Sequence, residues 1–398
     1  MRFLILAVLA LATPVRAQEI AALPTQGHPF AALPLPGAVI VTVTANGRPD
    51  SATGLRVFTG TSPAALKFDC FQAVDAKQVH AIAISADRNT LVVAAGDAGL
   101  QLFSRAAVID GCHASPVTVS LGSAASRQGS IDVTISPDGR YAFVANEYGV
   151  VSTDAAGHDL RGHVAIVALS YDDKGAPTGG RVVGRVATGA AAVTSVVLSR
   201  DGRRLYVTSE VARPGARLAN ATVPKLAHGG CRQGDGPAQP FGLLSVIDVA
   251  RAEAGDARSV ISATAAGCSP VRAAVSPDGQ TVWVAARGDD KVLAFSTDRL
   301  ETDPAQAFLG ESDSGGQAPV GLAVFAGGKR LAVANSNRFG GATATGNLAL
   351  LDAVPSAPKL TASIPATHFP RSVSVGDDGQ TLFLTDYNGG QVQVLVTN

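Results

Sequence analysis

The chain has little that would mark a common activity. It carries one Met, one Trp and five Tyr in 398 residues, and its 32 Lys+Arg balance 32 Asp+Glu, so the net charge is zero. That balance excludes a broad basic field able to hold a polyanion, so nucleic acid is not an expected partner. After the first residues no apolar run approaches the ~20 residues a membrane-spanning helix needs, so no membrane span is expected. There are four Cys, at 70, 112, 231 and 268, and none stands in CxxC spacing, which argues against a zinc ribbon or a thioredoxin-type redox site. HExxH, GxGxxG, GxxxxGKS and GxSxG are all absent, and no cofactor or metal is expected from motif.

The first 17 residues are the exception to the shortage of apolar runs. Arg2, an apolar core over 3–12 and the small-residue end Val15-Arg16-Ala17 make a secretory signal pattern with cleavage near Ala17. A periplasmic or extracellular protein is expected, comprising a signal peptide (1–17) and a single domain (18–398). In an exported chain four cysteines are most simply two disulfides, with three possible pairings.

What is abundant is glycine, 43 residues of it, together with Val and Ala, which suits many short strands joined by tight turns. A hairpin signature recurs at 80–95, 131–146, 194–209, 271–286, 320–335 and 372–386. In the clearest copy, Ser276-Pro277-Asp278-Gly279, Pro sits at the second turn position and Gly at the fourth, where a left-handed residue closes the turn. Each hairpin is followed by a third alternating segment and often a fourth, such as 116–121 or 182–187. Four short antiparallel strands per repeat is the blade of a β-propeller.

The first blade is read from 38–45, 54–59 and 64–71 as its second to fourth strands, with its innermost hairpin missing. The chain stops after the third strand of the last blade, so segment 19–35 is expected to lend that blade an outer strand and close the ring. The expected fold is all-β: seven four-stranded antiparallel blades, closed by an N-terminal strand. The turn residues Asp87, Asp138, Asp201 and Asp278 are 51, 63 and 77 positions apart, beyond the ~40–45 of a compact blade. The excess lies in loops 147–162, 211–241 and 336–346, which all emerge on one face. That face is where function is expected. Cys231, in the longest loop, and Cys268, before the next inner strand, belong to it. A Cys231–Cys268 bridge is therefore favoured, leaving Cys70 with Cys112.

At SPDGRYAFVANE (136–147), SRDGRRLYVTSE (199–210), SPDGQTVWVAA (276–286) and DDGQTLFLTDYNGGQVQVL (377–395) the chain resembles the YVTN-repeat β-propellers and the related seven-bladed lactonase-like superfamily. The resemblance covers most of the mature chain. It implies a propeller fold and leaves several functions open: a secreted binding or scaffold protein, a non-catalytic subunit of a periplasmic dehydrogenase complex, or a lactone-processing enzyme. Lactonases and muconate-lactonising enzymes of this superfamily use a His, a Glu and Arg residues at the channel mouth. By that resemblance His80, Glu147, Glu210, Arg272 and Arg371 are the candidate catalytic set of a metal-independent lactone hydrolase or cycloisomerase.

The strand ends of the loop-rich face add Asn146, Arg287, Asn335, Arg338, Asp386 and Tyr387 as candidate ligand-binding residues. Guanidinium groups grip carboxylates in bidentate fashion, and a nearby Glu or His can serve as a base. The expected partner is a small anionic molecule or a lactone, or an extracytoplasmic protein. Weighed equally is mutual pairing of these groups around a water-filled channel. The turn Asp residues are expected to bond local amides.

Other motifs have plain readings. Asp313-Ser314-Gly315-Gly316 is a turn between blades rather than a protease nucleophile segment. His158 and His163 are loop-flanking histidines, Asp172-Asp173 and Asp289-Asp290 are surface turns, and Asn220-Ala221-Thr222 is a glycosylation acceptor only in a host that uses it.

Overall fold

A computed structural model describes residues 17–122, 128–148, 162–212, 231, 241–256, 258–341, 343–366 and 368–397. Seven four-stranded antiparallel sheets form a β-propeller. From channel to rim, blade 1 runs His28–Leu35, Ala38–Thr44, Gly54–Thr59, Lys67–Ala73, and blade 5 runs Pro270–Val275, Thr281–Ala286, Lys291–Ser296, Phe308–Asp313. The expected signal peptide, apart from Ala17, lies outside the described residues, as do most of loops 147–162 and 211–241, with His158 and Asn220.

The repeated turn is built by its own side chains. In the copy at 276–281 the Gly279 amide donates to the Ser276 carbonyl at 2.8 Å, and the Asp278 carboxylate accepts the Gln280 amide at 3.0 Å. The Ser276 hydroxyl accepts the Thr281 amide at 3.0 Å and donates to Asp278, and that hydroxyl, then the backbone amide, holds the Asp278 carboxyl below its ordinary range. The same network recurs at 136–141 and 199–204. Gly279 sits at φ 75°, whereas blade 2 forces Arg88 into the same left-handed position at φ 60°. The turn Asp residues thus serve the backbone, as expected.

Between blades the core follows strand alternation. In the run Val282-Trp283-Val284-Ala285-Ala286, Val282, Val284 and Ala286 pack toward blade 4 with Tyr206 and Leu244. Trp283 and Ala285 pack toward blade 6 with Leu331, Val333 and Leu351. Both faces of each blade are covered, so the middle strands read as continuous apolar runs rather than alternating ones.

The N-terminal segment differs from the sequence reading in one respect. Ala17–Pro24 is the outer strand of the last blade, paired from Ala17↔Thr397 to Pro24↔Gln391, which closes the ring as expected. The remainder, His28–Leu35, is the inner strand of blade 1, paired with Ala38–Thr44. Blade 1 therefore has its innermost hairpin. The reading missed it because Pro29 and Pro34 interrupt the β-branched pattern, and its turn at Pro36-Gly37 lacks the Ser-x-Asp-Gly signature.

Both disulfides pair as favoured, Cys70–Cys112 and Cys231–Cys268, with Cα separations of 5.8 and 5.3 Å. The 313–316 string is the expected inter-blade turn, in which the fully buried Ser314 donates its hydroxyl to the Gly316 carbonyl.

Candidate functional site

The channel mouth is shaped by a defect repeated in the inner strands. In six blades the register slips by one residue near the strand start, leaving Phe30, Ile131, Thr194, Val271, Val320 and Arg371 as the extra residue. A β-bulge re-aims the side chain it inserts. Five of these six, all but Phe30, line one cavity of about 210 Å³ together with Glu147, Glu210, Arg272, Arg287 and Arg338. The loop-rich face thus gathers six of the eleven candidate residues into one site.

Its ion pairs are unevenly distributed. Arg272 reaches from blade 5 to Asp132 of blade 3 at 2.9 Å, and Asp132 also accepts the Val196 amide of blade 4 at 3.1 Å. Arg287 pairs with Glu210 at 2.6 Å, and the Ser269 hydroxyl donates to the same Glu210 oxygen at 2.7 Å. Arg371 forms no salt bridge or hydrogen bond with the described residues, and its Nε is buried without an acceptor. It lies instead over Phe30, 3.9 Å from the ring centroid, with Tyr387 and Phe369 at 5.9 and 6.0 Å. Burial, then repulsion from Arg272, pulls this guanidinium down to about 9. It is still charged at neutral pH. Arg338, on the loop after blade 6's second strand, also lacks a salt bridge among the described residues, and partial burial of its guanidinium, then Arg287, lowers its pKa.

The other candidates occupy different places. His80 is absent from the cavity lining; its ring packs on Phe30 at 4.6 Å and its Nδ1 donates to the Ser130 carbonyl at 2.8 Å. Burial drives its pKa down to about 4, with Arg371 adding repulsion, so His80 is neutral at pH 7 and packs on the ring that also supports Arg371. Tyr387 stacks on His28 at 4.5 Å and flanks Arg371. Asn146, Asn335 and Asp386 are fully buried strand-end residues. Asn335 donates to the Ser314 carbonyl at 3.1 Å, and Asp386 accepts the amides of Phe369 at 3.0 Å and Gly389 at 3.1 Å. Asn146 contacts the buried His163 ring at 3.5 Å. Asn335 and Asp386 thus hold turns beside their strand ends. Asp172, Asp289 and Asp290 likewise accept backbone amides.

Sequence reasoning missed Asp132, Phe30 and the apolar bulge residues. A signal for them exists: Pro29, Pro270, Pro319 and Pro370 each stand just before a bulge residue. Proline lacks the N–H for a ladder bond and is tolerated on an edge strand or at a bulge, which is where the inner strand meets the channel.

No family model matches the chain, and no curated protein matches it. Among solved structures, the Cps50 (Swd1) β-propeller domain of Myceliophteria thermophila is similar over 96% of this chain and 100% of that one, with a TM-score of 0.63 at 11% identity. At that identity the likeness shows the fold alone. The protein is a seven-bladed β-propeller with two disulfides and an arginine-rich channel mouth.

Proposed function

We propose that the protein is an extracytoplasmic YVTN-type propeller that binds a small anionic ligand at the channel mouth on its loop-rich face. The observation that carries this is Arg371, a charged, enclosed guanidinium with an aromatic support on one face and no carboxylate partner among the described residues. Burying a charge without a partner is unfavourable, and an anion from solution supplies that partner. The cavity volume is below the ~300–1,000 Å³ of sites for drug-sized molecules, which favours a ligand of few atoms. Two disulfides support an oxidising compartment.

A second reading, a lactone hydrolase, draws support from Glu147, which lines the same cavity as Arg272 and Arg371. There Arg371 would polarise the lactone carbonyl and Glu147 would take the proton of the attacking water. His80, neutral and outside the cavity lining, packs on Phe30 rather than contacting substrate.

Calorimetric titration with small carboxylates tests the first reading. Binding is expected in the wild type and at least tenfold weaker in Arg338→Gln and Arg371→Met; the loop variant Arg338→Gln guards against a folding defect in the other. Absence of any anion binding by the folded wild type sinks it. Turnover in a lactone panel, lost in a folded Glu147→Gln variant, would establish the hydrolase instead.

A further inference from the structure

The arrangement of charge and acceptors at the mouth narrows the chemistry of the ligand, an inference that rests on the anion-binding reading. Among the described residues, four guanidinium groups, Arg272, Arg287, Arg338 and Arg371, and two carboxylates, Glu147 and Glu210, line the cavity, and a third carboxylate, Asp132, pairs with Arg272, an excess of one positive charge. A ligand with one negative charge neutralises it. A dianion such as phosphate or a dicarboxylate would leave excess negative charge beside Glu147 and Glu210, where like charges repel strongly at reduced dielectric. A zwitterion would leave the positive charge in place.

The acceptors point the same way. Both bonds to Glu210, from Arg287 and Ser269, fall on Oε2, so Oε1 has no hydrogen-bond partner among the described residues. A carboxylate is an acceptor only, so a ligand group meeting Oε1 must bring an O–H or N–H. The Phe30 ring covers one face of the Arg371 guanidinium, which leaves the in-plane N–H edge for a carboxylate. We propose that the site takes a small singly charged hydroxycarboxylate, with its carboxylate on Arg371 and Arg338 and its hydroxyl donating to Glu210.

The test uses five probes of similar size: lactate, propionate, alanine, malonate and inorganic phosphate, titrated into the whole protein at pH 7.5 and low ionic strength. Lactate is expected to bind about tenfold more tightly than propionate, as one hydrogen bond to a charged acceptor implies, and more tightly than alanine, malonate or phosphate. Glu147→Gln leaves the Arg287–Glu210 pair intact and adds one net positive charge; in it malonate gains several-fold on lactate. Tighter binding of malonate or phosphate than of lactate by the wild type overturns the single-charge assignment. Equal affinity for lactate and propionate overturns the hydroxyl contact. Failure of all five to bind removes the anion site itself, a result distinct from either.

Discussion

At the scale of single residues, one aromatic ring at the mouth touches both a charged guanidinium and a neutral imidazole. Phe30 touches both the Arg371 guanidinium and the His80 imidazole, so protonating His80 would place a second charge near an already unpaired one. Burial, with repulsion from Arg371 as a smaller contribution, lowers the His80 pKa to about 4 in the folded protein against its ordinary 6.5. The groups facing it are the Ser130 carbonyl, Arg371 and Asp97. The unfolded chain takes up the proton first, so this group's contribution is full above pH 6.5, is lost as the pH falls from 6.5 to about 4, and changes no further below that. The loss amounts to about 3 kcal/mol across the window. Urea denaturation at pH 7 and pH 4.5 should show a steeper loss of stability in the wild type than in His80→Gln, which has nothing to protonate. Equal losses would place His80 in a solvated setting.

At the scale of elements, the inner strands do two jobs that conflict. Each must pair with its second strand to hold the blade, yet each must also present side chains to the channel, and the bulge resolves this by giving up one register step. The residue after the bulge then meets a neighbouring blade, which is how Asp132 and Arg272 come within 2.9 Å across blade 4. Both side chains are mostly buried, at 12% and 20% exposure. Removing one partner of such a pair strands the other charge. Asp132→Asn should destabilise the fold by about 2–4 kcal/mol, and Asp132→Asn with Arg272→Met should recover much of the loss. Additive losses in chemical denaturation would show that the two residues act independently.

At the scale of the whole molecule, stability depends on a strand far from its partner in sequence. Ala17–Pro24 covers the edge of Gln391–Thr397, and Gln393 donates to Glu19 across the join. A chain beginning at residue 25 would leave that edge open, with its row of unpaired N–H and C=O groups. Such a truncation is expected to yield dimers or aggregates by size-exclusion chromatography, and a stable monomer would mean that inter-blade packing alone holds the ring. The second join is covalent: Cys231–Cys268 anchors the longest loop beside Ser269, whose hydroxyl bonds Glu210. Loop and site are thus coupled through one residue step.

The sequence by itself determined the blade count, the hairpin turns and the favoured disulfide pairing. These depend on short-range chemistry, as in Ser276-Pro277-Asp278-Gly279, where turn type follows from the residues within it, or on a repeat visible along the chain. It also marked Arg272, Arg287, Arg338 and Arg371 as strand-end residues on one face. Only the tertiary structure decided which of them are paired. Arg272 and Arg287 find carboxylates 140 and 77 positions away, while Arg371 finds a phenyl ring 341 positions away. No local pattern encodes those distances. They are set when seven blades close into a ring, because closure brings the starts of all the inner strands around a single channel.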